Sequence, residues 1–183
     1  MRPVISTPRL LLRPFALSDC TEVQQLAGDR AIADTTAHVP HPYLDGMAAA
    51  WISTHESQFQ KREAVTFAIT KASDQVLIGA ISLMGISLRH QAELGYWIGK
   101  PYWGFGYCTE AARALLNFAF ETLDLERVHC SHFSRNPASG AVMKKLGMNH
   151  EGTRIKHLSK WGILEDQELY GVVKADWKFQ KMK

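Results

Sequence analysis

Between Trp103 and Ala111 the sequence WGFGYCTEA sets two glycines one residue apart, at 104 and 106, directly ahead of a strongly helical run. Glycines at these positions let backbone N–H groups approach an anion, because no Cβ keeps it away, and the helix that follows adds the partial positive charge of its N-terminus. The chemistry this suits is the capture of a pyrophosphate. A Walker loop needs Gly-Lys-Ser/Thr after its first glycine and four further residues, yet no lysine lies between Gly104 and the end of the helix. The dinucleotide fingerprint needs a third small residue where Thr109 stands, and an acidic residue about 20 positions on after a second strand. Both fit poorly.

Other reactive side chains are scattered. None of the eight histidines forms an HExxH or comparable metal-binding pattern, so His129 and His132 read as strand residues. Cys20, Cys108 and Cys130 have no CxxC spacing, which fits a reducing compartment and gives no zinc site. Cys108, at the helix entrance, is expected to have a lowered pKa from the local dipole. Nothing nearby supplies a triad, so it reads as a small filler. Glu93 differs from these, because it interrupts the otherwise apolar run AELGYWI, Ala92–Ile98. Strand alternation places it on the face of Trp97 and not of Tyr96.

Elements that would position these residues alternate between strand and helix. Leu10–Arg13 reads as a strand, Ser18 or Asp19 caps a helix to about Ala27, and Asp45–Lys61 reads as a helix with an N-terminal aspartate. The stretch 29–43 between them, with Pro40 and Pro42, reads as irregular and as the place for an acceptor lid. Val65–Thr70 and Val76–Met84 read as strands joined by Ala72-Ser73-Asp74, and they lead to the strand Ala92–Ile98. Glu110–Leu123 reads as a helix with Ala111, Leu115, Phe118 and Ala119 on one stripe. Val128–Phe133 then reads as a strand, Asn136–Leu146 as a short helix capped by Asn136 and ended by Gly147, and Glu168–Val173 as a late strand. A mixed α/β (α+β) fold with a central sheet follows.

Four separated pieces, TPRLLLRPF at Thr7–Phe15, AELGYWI, YWGFGYCTEA at Tyr102–Ala111 and NPASGAVMKKLGM at Asn136–Met148, resemble the GCN5-related N-acetyltransferases. Within that superfamily they are similar to the ribosomal-protein alanine and serine acetyltransferases, and the likeness covers nearly the whole chain. The acyl-CoA loop of the superfamily reads Gln or Arg, two residues, Gly, one residue, Gly or Ala. Here Gly106 is the central glycine, with Trp103 at the first position and Cys108 at the last; a loop ending YxTEA is common in this branch. The resemblance implies a central sheet splayed at the acyl-CoA strand and flanked by helices. It also implies acetyl-CoA as cosubstrate, with no metal, and transfer of acetyl to a primary amine by direct attack. Trp103, Gly104, Phe105, Gly106, Tyr107, Cys108 and Thr109 would then hold the diphosphate. Ile98 would pair with the pantetheine arm, Asn136 would lie against it, and Lys145 would approach a phosphate. The backbone N–H of Tyr96 would polarise the acetyl carbonyl, and Glu93 would deprotonate the amine directly or through water. Ser139 would protonate the departing thiolate, since Met143 stands where many members carry tyrosine. Each has a plainer reading: Glu93 as a satisfied carboxylate, Asn136 as an N-cap, Lys145 as a solvated helix lysine.

The chain of 183 residues, 46% of them hydrophobic, suffices for one core, and a single domain over residues 1–183 is expected. Its 21 basic and 18 acidic residues give a net charge of +3 without a basic stripe, so nucleic acid is not an expected partner. No apolar run reaches ~18 residues, and a cytoplasmic protein is expected. The acceptor is expected to be a protein N-terminal α-amino group, with small amines behind it. Trp161 in a loop is a candidate lining of the amine site and His157 is expected to reach the same pocket, whereas Tyr170 and Trp177 read as core. The late strands are candidates for a homodimer contact. Trp103 and Met143 motivate an alternative, a catalytically silent acyl-CoA sensor or scaffold.

Overall fold

A computed structural model describes residues 2–86 and 90–177. Among them one eight-stranded sheet runs in the order β1-β2-β3-β4-β5-β6-β8-β7, with β1 at Ile5–Ser6, β2 at Leu10–Arg13, β3 at Ala64–Lys71, β4 at Leu77–Met84, β5 at Gln91–Ile98, β6 at Arg127–Phe133, β7 at Asn149–Lys160 and β8 at Ile163–Val173. Neighbouring strands are antiparallel throughout except β5 and β6. A parallel pair needs a crossover connection, and the helix α4, Tyr107–Glu121, supplies it.

Period-two alternation sorts the apolar residues of β3 to β5 between the two faces. Val65, Phe67, Ile69, Ile81, Leu83 and Leu94 pack with Ala111, Leu115 and Ala119 of α4 and with Met143 of α5, Pro137–Lys145. Ala68 and Ala80 turn to the opposite face, beneath α1, Cys20–Ala27, and α3, Met47–Gln60. Met143, fully buried, is core.

Several boundaries differ from the sequence reading, each for a local reason. The stretch 29–43 contains a helix, α2 at Arg30–Thr35, whose N-cap Asp29 accepts from the Ala31 N–H at 2.8 Å. Helix α3 starts at Met47 behind Gly46, which has φ +83°, while Asp45 accepts from the Gln24 side chain instead of capping. Asp19 reaches back to the Ala16 N–H and forms a two-bond ion pair with Arg13, with no side-chain bond to the helix ahead of it. Strand β7 was absent from the expected elements: its residues, NHEGTRIKHLSK, are nearly all exposed, so no alternation marks them. It turns into β8 through Trp161 and Gly162, at φ +55° and +75°, a two-residue hairpin turn with both centres left-handed.

Candidate active site

Strand β5 pairs with β6 only over Gln91–Glu93 against Arg127–His129, and from Leu94 onward the two diverge. On its other edge β5 stays paired with β4 as far as Ile98, and the Gly99 N–H donates to the Ile78 carbonyl at 2.8 Å. Antiparallel alternation therefore turns the backbone groups of Tyr96 and Ile98 away from β4, into the gap. This is the splay the resemblance implied. The Ile98 carbonyl already accepts from the Trp103 indole N–H, so Trp103 ties the strand end to the glycine loop.

Gly104 and Gly106 hold φ +82° and +78°, in the left-handed region, and a Cβ added at Gly104 would meet nothing within 4 Å. Helix α4 begins at Tyr107, three residues earlier than the sequence suggested, and no side chain caps it. Its first N–H groups consequently have no intrahelical acceptor. The residues fit a diphosphate on these grounds: an open cradle in which only glycine is unstrained, with uncapped amides facing it. A cavity of about 370 Å³ runs from this loop, lined by Ile98, Trp103, Gly104, Gly106, Tyr107, Cys108, Thr109, Asn136, Ser139 and Lys145. Phe105 does not line it; its ring stacks on Tyr107 with centroids 5.8 Å apart. Asn136 is the N-cap of α5, accepting from the Ser139 N–H at 3.4 Å, and its amide donates to the Thr35 carbonyl.

Bracing for the loop comes from the far end of the chain, which the sequence reading gave no role. The Glu110 carboxylate accepts from Thr7 Oγ1 at 2.6 Å, from the Arg9 N–H at 2.9 Å and from Arg9 Nε at 2.6 Å. Arg9 Nη1 donates to the Phe105 carbonyl at 3.0 Å, and the guanidinium lies over the Tyr107 ring. These bonds hold the Glu110 carboxyl below its usual range despite partial burial. The signal was available, since TPRL and TEA are two of the four resembling pieces. The Cys108 expectation is overturned: the thiol packs against the core, and burial pushes it up to about 12. Desolvation outweighs the helix dipole here.

Beside the smaller cavity lies a second, of about 590 Å³, on the other side of β5. Thr35, Thr36, Tyr96, Trp97 and Ser139 line both. At this junction the Tyr96 hydroxyl lies 2.9 Å from Ser139 Oγ. Burial holds the Tyr96 phenol well above its ordinary value, with Cys130 and Cys108 close by. Sequence reasoning had given Tyr96 only a backbone role; the alternation that separates it from Glu93 aims its ring towards α5. Glu93 lines the larger cavity and not the smaller. It accepts from Ser131 Oγ at 3.5 Å, and Ser131 in turn accepts from Gln167 Nε2 at 2.8 Å. Burial lowers the pKa of neighbouring His129, against the pull of Glu93.

Residues 35–40, part of the stretch read as a lid, form a wall of the larger cavity. The β7–β8 turn clasps that wall. The Trp161 indole donates to Asp34 Oδ1 at 2.7 Å, and Lys160 Nζ donates to the Val39 carbonyl at 3.1 Å. Trp161 thus holds that wall from outside and does not line the larger cavity, whereas His157 does. Tyr170 and Trp177 are buried. Among the described residues no group of three or more His, Cys, Asp or Glu is placed to hold a metal, and no helix is long and apolar enough to cross a membrane.

A strand splayed from its parallel neighbour, a glycine turn and an uncapped helix define a fold class that the comparisons make specific. A family model described as the acetyltransferase (GNAT) domain matches residues 9–149. The chain belongs to that family and is an acetyl-CoA-dependent N-acetyltransferase. It is 33% identical over 127 residues to "Probable N-acetyltransferase YjcK" of Bacillus subtilis, covering 68% of this chain and 70% of that one. It is 26% identical over 124 residues to the [ribosomal protein uS5]-alanine N-acetyltransferase of Escherichia coli, 66% of this chain and 64% of the relative. RimL, a ribosomal L7/L12 α-N-protein acetyltransferase solved in complex with coenzyme A, shares the fold with a TM-score of 0.87. That match has 20% identity and covers 95% of this chain and 100% of the other.

Proposed function

We propose that the protein acetylates the α-amino group of a protein N-terminus by direct attack on acetyl-CoA, as a single cytoplasmic domain. The observation that carries this reading is the meeting of two cavities at Tyr96, Trp97 and Ser139. One is built of main-chain amides that suit a diphosphate, and the other is wide enough for a chain end. Ribosomal-protein N-terminal acetyltransferases among the relatives support the choice of acceptor.

When bound, acetyl-CoA supplies the activated thioester carbonyl and a thiolate leaving group. Main-chain amides from Gly104 to Thr109 hold the diphosphate at the head of α4, and Lys145 neutralises phosphate charge from α5. The free backbone of Tyr96 and the N–H of Ile98 lie along the pantetheine arm. There the Tyr96 N–H donates to the acetyl oxygen, a contact worth roughly 10²–10³ in rate in other acyl transfers. Asn136 fixes the start of α5 and so the place of Ser139. Glu93, oriented by Ser131 and Gln167, takes the amine proton through water while the amine nitrogen forms its bond to the acetyl carbon and the carbon–sulfur bond breaks. The Tyr96–Ser139 hydroxyl pair hands a proton to the sulfur. That pair occupies the task left open by Met143, which removes a motive for a silent sensor.

A thiol-release assay over a panel of N-terminal peptides and small amines tests the proposal. Peptide turnover with kcat/KM well above that of spermidine, free amino acids and aminoglycosides supports it. Turnover confined to small amines would overturn it.

A further inference from the structure

Two side chains of opposite charge in the larger cavity have no ion-pair partner among the described residues. Glu93 accepts only the long bond from Ser131, and Arg154 donates only to His157, Nη1 to Nε2 at 3.3 Å. Other charges on this wall are paired: Arg127 and Glu151 hold each other. His129, opposite Glu93 in the β5–β6 register, is within electrostatic reach of both. A carboxylate and a guanidinium left apart in one cavity complement a ligand that brings an ammonium and an anion together on one molecule.

The presentation of Arg154 is built into the strand. The register of β7 against β8 shifts between Arg154 and Leu158. Inside this bulge Lys156 takes φ +47°, and its N–H donates to Asp166 Oδ1 at 2.7 Å. Bulges re-aim side chains, and here Arg154 and His157 line the same cavity from either end of the shift. The register sets Glu93 opposite His129 and, one strand on, Gly171, whereas Arg154 stands opposite Gln167, four residues along β8. Three inter-strand steps of ~4.8 Å and four residues of ~3.3 Å put the two backbones roughly 20 Å apart, about six residues of extended peptide, a span that the long side chains of Arg154 and of the acidic residue shorten to about four or five.

Building on the N-terminal acceptor reading, we infer that this cavity selects peptides with an acidic side chain at the third to fifth residue. The α-amino group enters beside Glu93, and the acidic side chain is held by Arg154 and His157.

The test is a set of hexapeptides beginning with alanine, each carrying one Asp, Asn or Lys at position 3, 4 or 5, assayed by thiol release. Asp is expected to raise kcat/KM about tenfold over Asn at one or more positions, the worth of one charge-assisted bond, and to lose that advantage as salt rises. Arg154→Glu should reverse the preference towards Lys, and Arg154→Lys should keep part of it; calorimetric affinity for CoA reports whether each variant is folded. Equal rates for Asp and Asn peptides, or a preference that survives 1 M salt or Arg154→Glu, would overturn the inference while leaving the N-terminal reading intact. If small amines turn over and no peptide does, the N-terminal reading itself fails, and the inference with it.

Discussion

The two cavities that meet at Tyr96 are made of different material. The smaller presents main-chain amides, from a strand edge, two left-handed glycines and the start of a helix within residues 96–109, with side chains of α2 and α5 closing it. The larger is formed by side chains from β5, β6, β7 and β8 and by the segment after α2. A ligand read by main chain tolerates much variation in side chains, whereas one read by side chains changes whenever they do. The comparison teaches that one scaffold can carry a site read by main chain beside a site read by side chains, joined along a single strand.

If that division is right, the largest effect belongs to the glycine turn. Gly106→Val would place a β-branched residue at φ +78°, at a cost of ~1–3 kcal/mol. CoA affinity measured by calorimetry should fall by at least ~100-fold, about 2.7 kcal/mol, with the far-ultraviolet circular dichroism unchanged. Retained affinity would end the main-chain account of the smaller cavity.

Next comes the junction, which belongs to both halves. Tyr96→Phe and Ser139→Ala should each lower kcat by roughly 10–100-fold, at or just below the bottom of the range for positioned proton donors because each leaves its partner hydroxyl in place, with little change in CoA affinity. A loss in affinity alone would return both residues to a structural role.

Glu93→Gln probes the acceptor half and should cost about tenfold in kcat/KM near pH 7, less than a typical general base. The deficit should shrink as pH rises past ~8, the range in which an α-amino group loses its own proton. A deficit constant from pH 6 to 9 would remove the base role.

On turnover the smallest effect belongs to the support behind the larger cavity, whose signature is read in stability instead. His55 of α3 is buried beside Phe15 and Trp51, both ring nitrogens lack hydrogen-bond partners among the described residues, and desolvation lowers its pKa to about 4. Unfolded histidine titrates near ~6.5, so between pH 6.5 and 4 the unfolded chain binds more protons and stability falls as pH falls. Over that window the loss is at most about 3 kcal/mol. His55→Leu should flatten this part of the stability profile in urea titrations, and an unchanged slope would assign it to other groups.

The smaller cavity was legible in the sequence because its signals are local. Gly104, Gly106 and the following helix lie within one short stretch, and nine of the ten residues expected to hold the cosubstrate line one cavity, Phe105 excepted. The larger cavity was not, because its determinants are side chains brought together across strands. Strand β7, exposed on nearly every residue, carried no periodic signal, so Arg154 went unnoticed and Trp161 was placed in the wrong role. Cys108 was misjudged because a helix dipole is visible in sequence and the packing that opposes it is not. The hydroxyl contact of Tyr96 with Ser139 spans 43 residues and has no sequence signature at all.

Thr7 and Arg9 are stitched to Glu110, so the diphosphate seat leans on the turn between β1 and β2. A disturbance confined to that turn, 101 residues from the helix it braces, will register as weaker nucleotide binding, and CoA affinity is thereby a gauge of the β1–β2 hairpin as well as of the glycine loop.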